Sequence, residues 1–246
     1  MINRISINCD VGEGLNNETA LMPYLSYCNV ACGGHFGDAF TMKETTGIAL
    51  KHGVKIGAHP SYPDKENFGR VSMEMPKTEL ISTIQQQINT LKKVVDAASA
   101  KLHHIKPHGA LYNDISKNEQ LAETFLSSVE IYKNKCLLML PYGSVVAKMA
   151  VEKGFGILLE AFADRNYNND LSLVSRTQPN ALITGKEEML AHVASMINNN
   201  KVYTVQGEWK TIKADTFCVH SDTPNAEELV EYLFVNTIKV ENYGKV

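Results

Sequence analysis

Residues 53–64 read GVKIGAHPSYPD, and this stretch decides the fold. Gly53 closes a segment of helical character that starts at Ala39. VKIGAH (54–59) is a short apolar run of strand type that ends on a histidine. Two prolines follow within four residues and break any regular element. Pro76 then opens a long helix, a position where its missing N–H is tolerated. Leu80, Ile84, Ile88, Leu91, Val95 and Ala98 recur every three to four residues along it and mark one buried face. Strand, polar loop and helix make one βα unit.

The unit repeats in both directions. ISINCD near the start sets Ile5, Ile7 and Cys9 on one face of a strand. HHIKPH (103–108), CLLML (136–140), GILLE (156–160), VYTV (202–205) and TFCVH (216–220) read as further strands. CLLML is almost wholly apolar, as expected when both faces of a strand are covered. Between them the pattern predicts a helix after a Ser116–Glu119 capping box, and another over 145–152. A third follows a Thr184–Glu187 capping box, and the last runs from Ala226, just after Pro224, to about Lys239. No linker or low-complexity segment interrupts the alternation, so residues 1–246 are read as one β/α domain. Roughly seven βα units favour a closed or nearly closed parallel barrel, with an open doubly wound sheet as the alternative.

Composition narrows the function. The chain has 246 residues, 44% of them hydrophobic, enough for a substantial core, and its formal charge is −3. No basic stripe points to nucleic acid, and no apolar run is long enough to span a bilayer. The opening MINRISINCD alternates like a strand rather than a secretion signal. Cys9, Cys28, Cys32, Cys136 and Cys218 are odd in number and lack paired CxxC spacing. That argues for reduced thiols and a cytoplasmic location, and against a structural zinc site. Neither a GxGxxG after the first strand nor a phosphate-binding P-loop is present.

Chemistry in parallel α/β folds collects at the C-terminal ends of the strands. Those ends carry Asp10 with Glu13, His35 with Asp38, His59, Lys106 with His108, Glu160 with Asp164, and His220 with Asp222. A lone strand-end histidine is more often structural. Asp222 stands where it would favour a helix N-terminus, Glu13 could be ordinary loop charge, and Arg165 and Arg176 could pair with local acids. The recurrence at successive strand ends outweighs these separate explanations, because a barrel brings all of them to one rim. Histidines and carboxylates serve as general acids and bases or hold a divalent cation, for which Asp10, His35 and His59 are the expected set. Lys106, Arg165 and Arg176 suit a carboxylate or phosphate. No G-x-S-x-G elbow supports a serine nucleophile.

NCDVGEG (8–14), NVACGGHFGD (29–38), GVKIGAHPSYPD (53–64), FGR (68–70), KPHGALYN (106–113), FADRNY (162–167), LVSR (173–176) and DTFCVHSD (215–222) together resemble the LamB/YcsF family, in order and over nearly the whole chain. The resemblance implies a distorted seven-stranded β/α barrel akin to polysaccharide deacetylases. It implies one component of a prokaryotic hydrolase that opens the cyclic amide 5-oxo-L-proline to L-glutamate, coupled to ATP hydrolysis. That enzyme also contains subunits B and C, and a divalent cation suits its chemistry. Gly34, Val71 and Ser221 stand where the family more often has an aromatic, a basic residue and a glycine. Two other readings stay open: a metal-dependent deacetylase-type hydrolase without ATP, and a non-catalytic lactam-binding component.

Overall fold

The computed structural model describes residues 5–243, with side chains described to residue 237. The reading of the first four residues as the start of a strand lies outside the described residues. In chain order the elements are β1 (Ile7–Val11), α1 (Glu18–Leu21), β2 (Tyr27–Ala31), α2 (Ala39–His52), β3 (Lys55–His59), α3 (Lys77–Ala97), β4 (His104–Ile105), α4 (Gly109–Lys117) and α5 (Glu119–Val129). Then follow β5 (Leu137–Pro141), α6 (Val145–Glu152), β6 (Ile157–Phe162), α7 (Lys186–Asn199), β7 (Lys201–Tyr203), β8 (Trp209–Thr211), β9 (Thr216–Cys218) and α8 (Ala226–Tyr243).

Seven strands close a barrel in the order β1-β2-β3-β4-β5-β6-β9, and every pairing in it is parallel. The closed alternative therefore holds over the open sheet. β4 is short, but backbone bonds from His103, Lys106 and His108 to Ile56, Ala58 and Pro60 extend its pairing along β3. Among the described residues no helix is long and apolar enough to cross a membrane.

The period-2 alternation of the strands sorts side chains into two shells. Ile7, Cys9, Val11, Cys28, Val30, Ile56, Ala58 and Ile105 are buried in the apolar core beneath the helices. α3 packs there through Leu80, Ile84, Ile88, Leu91 and Val95, each of the order of 2 kcal/mol of burial. Ala98 falls at the helix end and is exposed. Many of the residues that point to the barrel axis are polar and buried: Asn8, Asp10, Asn29, His59, His104, Lys106, Glu160 and Thr216. A barrel interior is usually filled with branched apolar side chains. Here a hydrogen-bonded ladder takes their place. His104 Nε2 donates to Asn29 Oδ1 at 2.7 Å, and Asn29 Nδ2 donates to Asn8 Oδ1 at 2.9 Å and Asp10 Oδ1 at 2.8 Å. Asn8 in turn donates to Thr216 Oγ1 at 3.1 Å. Gly57 makes room for the His104 ring, since a Cβ there would lie 2.2 Å from its Nε2.

Three local expectations need correction. Ser116 lies inside α4 and donates to the Tyr112 carbonyl; Asn118 caps α5 by accepting from Leu121 N. Thr184 caps nothing, because α7 starts from Gly185 without a side-chain cap. VYTV forms β7, which pairs antiparallel with β8 outside the barrel. It lies too close to β8 in sequence to need a helical crossover.

Candidate active site

The C-terminal ends of the barrel strands and the loops after them gather most of the expected residues into one buried cluster. Asp10 ends the inward face of β1, His59 ends β3, Lys106 and His108 follow β4, Glu160 lies in β6, and Asp164 and His220 follow β6 and β9. Lys106 is the hub. Its Nζ lies 2.9 Å from Asp10 Oδ1 and 2.8 Å from Glu160 Oε1, with Cys218 Sγ at 3.2 Å. Burial alone would lower this ammonium, but Asp10, Cys218 and Glu160 outweigh it and hold the proton firmly. Burial likewise works to raise the Asp10 carboxyl, yet His59 and Lys106 hold it well below the usual range. Tyr112, on α4, donates to Glu160 Oε2 at 2.8 Å.

Two backbone carbonyls fix the tautomers of His59 and His108. His59 Nδ1 donates to the Lys106 carbonyl at 2.7 Å, and His108 Nε2 donates to the Phe68 carbonyl at 2.9 Å. That leaves His59 Nε2 and His108 Nδ1 facing each other at 3.0 Å, with Asp10 Oδ2 3.3 Å from the former. When both rings are neutral, two nitrogen lone pairs and a carboxylate oxygen converge. The three ligand atoms lie within 4.8 Å of one another. Two imidazoles and one carboxylate suit zinc or another borderline divalent cation, leaving positions for water and substrate. These residues could hold a metal ion. Phe68 has φ +55°, a left-handed conformation costly for a bulky residue, and it is the residue whose carbonyl sets the His108 tautomer.

His35 lies beside that set and belongs to a neighbouring group, Glu13, His35 and His108, whose ligand atoms also lie within 4.8 Å of one another. The loop after β2 lays its ring face to face on His108, with centroids 3.7 Å apart, and turns its Nε2 to Glu13 Oε1 at 2.9 Å. Burial and then Asp10 raise the Glu13 carboxyl to about 7, while burial and His59 hold His35 well below its ordinary value. Glu13, facing a His35 ring that stays neutral, is thus placed to take up or release a proton near neutrality. A second dyad is His220 with Asp164. Asp164, fully buried, accepts from His220 N at 2.9 Å, from Thr223 Oγ1 at 2.6 Å and from His220 Nδ1 at 3.0 Å. Its carboxyl is held low by His220 against the effect of burial. This fixes Nδ1–H as the inner proton and leaves Nε2 as the outer nitrogen, with the ring stacked on Phe162.

Other expectations fall outside the cluster. Asp38 is exposed and caps α2, accepting from Thr41 N at 2.8 Å; a short polar side chain just before a helix satisfies one of its free N–H groups. Arg165 donates to the carbonyls of Val174 and Ala181 and braces its own loop. Arg176 stays at the rim, where it grips Asp222 in a two-pronged pair at 2.8 and 3.0 Å. Arg70, not singled out from sequence, reaches the same carboxylate. Two guanidinium groups against one carboxylate leave a surplus positive charge at the mouth. Tyr112 and Arg70 stood in the quoted motifs KPHGALYN and FGR, but nothing in their spacing marked them as site residues.

Comparison with known proteins agrees with this picture. Residues 5–242 match the LamB/YcsF family. The chain is 39% identical over 237 residues to a Pyrococcus furiosus protein described as the A subunit of 5-oxoprolinase, covering 94% of this chain and 92% of that one. Its structure resembles that of a lactam utilization protein from Thermus thermophilus, with a TM-score of 0.89, 31% identity and 98% of both chains covered.

Proposed function

The chain belongs to the LamB/YcsF family, and from that premise we propose that it is the A subunit of a 5-oxoprolinase, hydrolysing 5-oxo-L-proline to L-glutamate with ATP hydrolysed to ADP and phosphate in company with subunits B and C. The observation that carries the reading is the convergence of Asp10, His59 and His108 in one buried group, with the His–carboxylate pairs Glu13–His35 and His220–Asp164 at the same strand ends. Ring opening adds the oxygen of water to the lactam carbonyl carbon, breaks the C–N bond and delivers a proton to the ring nitrogen. Glu13, backed by His35, takes the proton from water. His220, oriented by Asp164, supplies the proton to the departing nitrogen. Asp10, His59 and His108 would hold a divalent cation, which when bound polarises the carbonyl oxygen. Arg70 and Arg176 offer their surplus charge to an anionic group at the mouth.

Any nucleotide on this chain is held without a glycine-rich phosphate loop, since the sequence contains none. A second reading, hydrolysis without ATP, is favoured by the same metal-ligand set, which needs no nucleotide. One assay separates them. The chain assembled with subunits B and C releases glutamate from 5-oxo-L-proline only when ATP is present, with ADP formed in step. Equal glutamate release without ATP would select the second reading.

A further inference from the structure

We propose that Arg70, held against Asp222 at the mouth of the barrel, binds the carboxylate of the substrate and makes the site select lactams that carry one; this rests on the 5-oxoproline reading above. Arg70 stands beside the groups that act on the ring. Its neighbour Gly69 has φ +64°, and a Cβ there would lie 3.0 Å from His35 Cβ and 3.1 Å from His108 Cδ2, so the chain at 68–70 packs directly on both histidines. The stretch is pinned. Gly69 N donates to the Asp64 carbonyl at 2.7 Å, Arg70 N to the Asn67 carbonyl at 3.0 Å, and Ala110 N to the Gly69 carbonyl at 2.9 Å. The Arg70 guanidinium lies over the Phe68 ring, 4.9 Å from its centroid, and that centroid is 5.2 Å from the His35 ring and 5.5 Å from the His108 ring. The charge of Arg70 reaches the site: behind burial and His59, it helps to hold His35 low. Asp222 reaches Glu13 in the same way and, behind burial and Asp10, helps to raise it.

The chemistry of the substrate calls for a receptor at this place. In 5-oxo-L-proline the carboxylate sits on the carbon next to the ring nitrogen, and that nitrogen is bonded to the carbonyl carbon under attack. Summed bond lengths put the carboxylate only about 5 Å from the carbonyl oxygen. The carboxylate must therefore lie close to His220, which serves the nitrogen. Asp222 follows His220 by two residues and holds Arg70. Among the described residues the other cations at these strand ends are spent. Lys106 is buried between Asp10 and Glu160, Arg165 donates to two backbone carbonyls, and Arg176 gives both terminal nitrogens to Asp222. Arg70 gives Asp222 only Nη2, and its side chain is 40% exposed, so most of its five donors stay open to a ligand. One carboxylate against two guanidinium groups leaves the charge of Arg70 in surplus. A guanidinium fork takes a carboxylate in two parallel bonds. A lactam without charge, or one whose carboxyl is tied up as an amide, gains no such pair.

The test removes the charge. In the enzyme assembled with subunits B and C, Arg70→Met keeps an arm over Phe68 and deletes the guanidinium. KM for 5-oxo-L-proline then rises by roughly tenfold or more, as loss of a hydrogen bond to a charged group does. The inhibition constant of 5-oxo-L-prolinamide, which keeps the ring and loses the charge, stays as in the wild type. A thermal melt checks that Arg70→Met is folded. If it is not, Arg70→Lys, which keeps a charge without the fork, is read in its place and raises KM in the same direction. Unchanged KM, or an equal loss for acid and amide, overturns Arg70 as the carboxylate receptor and leaves the function standing. If the wild-type assembly does not consume 5-oxo-L-proline, the function reading fails instead, and calorimetric titration of the chain with the acid and the amide decides the receptor. Acid bound more tightly than amide in the wild type but not in Arg70→Met retains it. No preference for the acid in the wild type, or one kept in Arg70→Met, overturns it.

Discussion

His108 Nδ1 lies 3.0 Å from His59 Nε2, and each ring has given its other N–H to a backbone carbonyl. Only a shared proton or a cation can occupy the space between them, and Asp10 supplies negative charge at its edge. A polar interior built around such a pair stores no packing advantage over leucine and isoleucine, which points to chemistry rather than stability as its reason.

The first prediction concerns that space. Chain stripped with a chelator and titrated calorimetrically with zinc, manganese or cobalt takes up one equivalent. His108→Ala weakens this uptake by roughly two orders of magnitude or more, since it removes a direct ligand where loss of an outer partner already costs ~10–100-fold. His35→Ala keeps the stoichiometry of one, because His35 turns to Glu13. Tight binding lost in His35→Ala but kept in His108→Ala would reverse the assignment.

A packing prediction follows from Gly57. Its absent Cβ would lie 2.2 to 2.4 Å from the His104 ring, which is itself locked to Asn29. Gly57→Ala should destabilise the barrel by about 1–3 kcal/mol, or prevent folding, as overpacking does. Chemical denaturation measures it; an unchanged midpoint would mean that His104 is free to move.

Acid sensitivity has a specific contributor in His192. This histidine of α7 stacks on Tyr167, whose hydroxyl accepts from Phe162 N at the end of β6. Burial lowers His192 from 6.5 to about 4. A depressed histidine adds stability above its unfolded value and loses it as pH falls through the folded one. The contribution is therefore full near pH 7 and falls away between about 6.5 and about 4, by up to ~3 kcal/mol. His192→Gln should flatten that part of the stability–pH curve. Parallel curves for variant and wild type would contradict the assignment.

Much of this arrangement could be read in the chain itself, and the exceptions have physical causes. The barrel was legible because parallel strands under helices need apolar runs, and CLLML and VKIGAH are such runs. The rim residues were legible because histidines and carboxylates recur at successive strand ends, which a barrel brings to one rim. Asn8, Asn29 and His104 were not, since apolar alternation reports only the helix-facing shell of each strand. The way His108 turns its Nδ1 toward His59 was hidden as well. It depends on the Phe68 carbonyl, delivered by a loop forty residues earlier in the chain. Helix starts were misplaced where two polar residues competed, as Asn118 and Ser116 do at α5.

The most direct measurement of the central claim is turnover by Asp10→Asn in the enzyme assembled with subunits B and C. Asp10 links the Lys106 hub to His59 and belongs to the metal-ligand set. Asparagine keeps the shape but removes charge and basicity. Glutamate release from 5-oxo-L-proline is expected to fall by roughly two orders of magnitude or more, in a variant that still assembles and melts cooperatively. Near-wild-type release from a folded, assembled Asp10→Asn enzyme would contradict the account and remove the barrel mouth from the reaction.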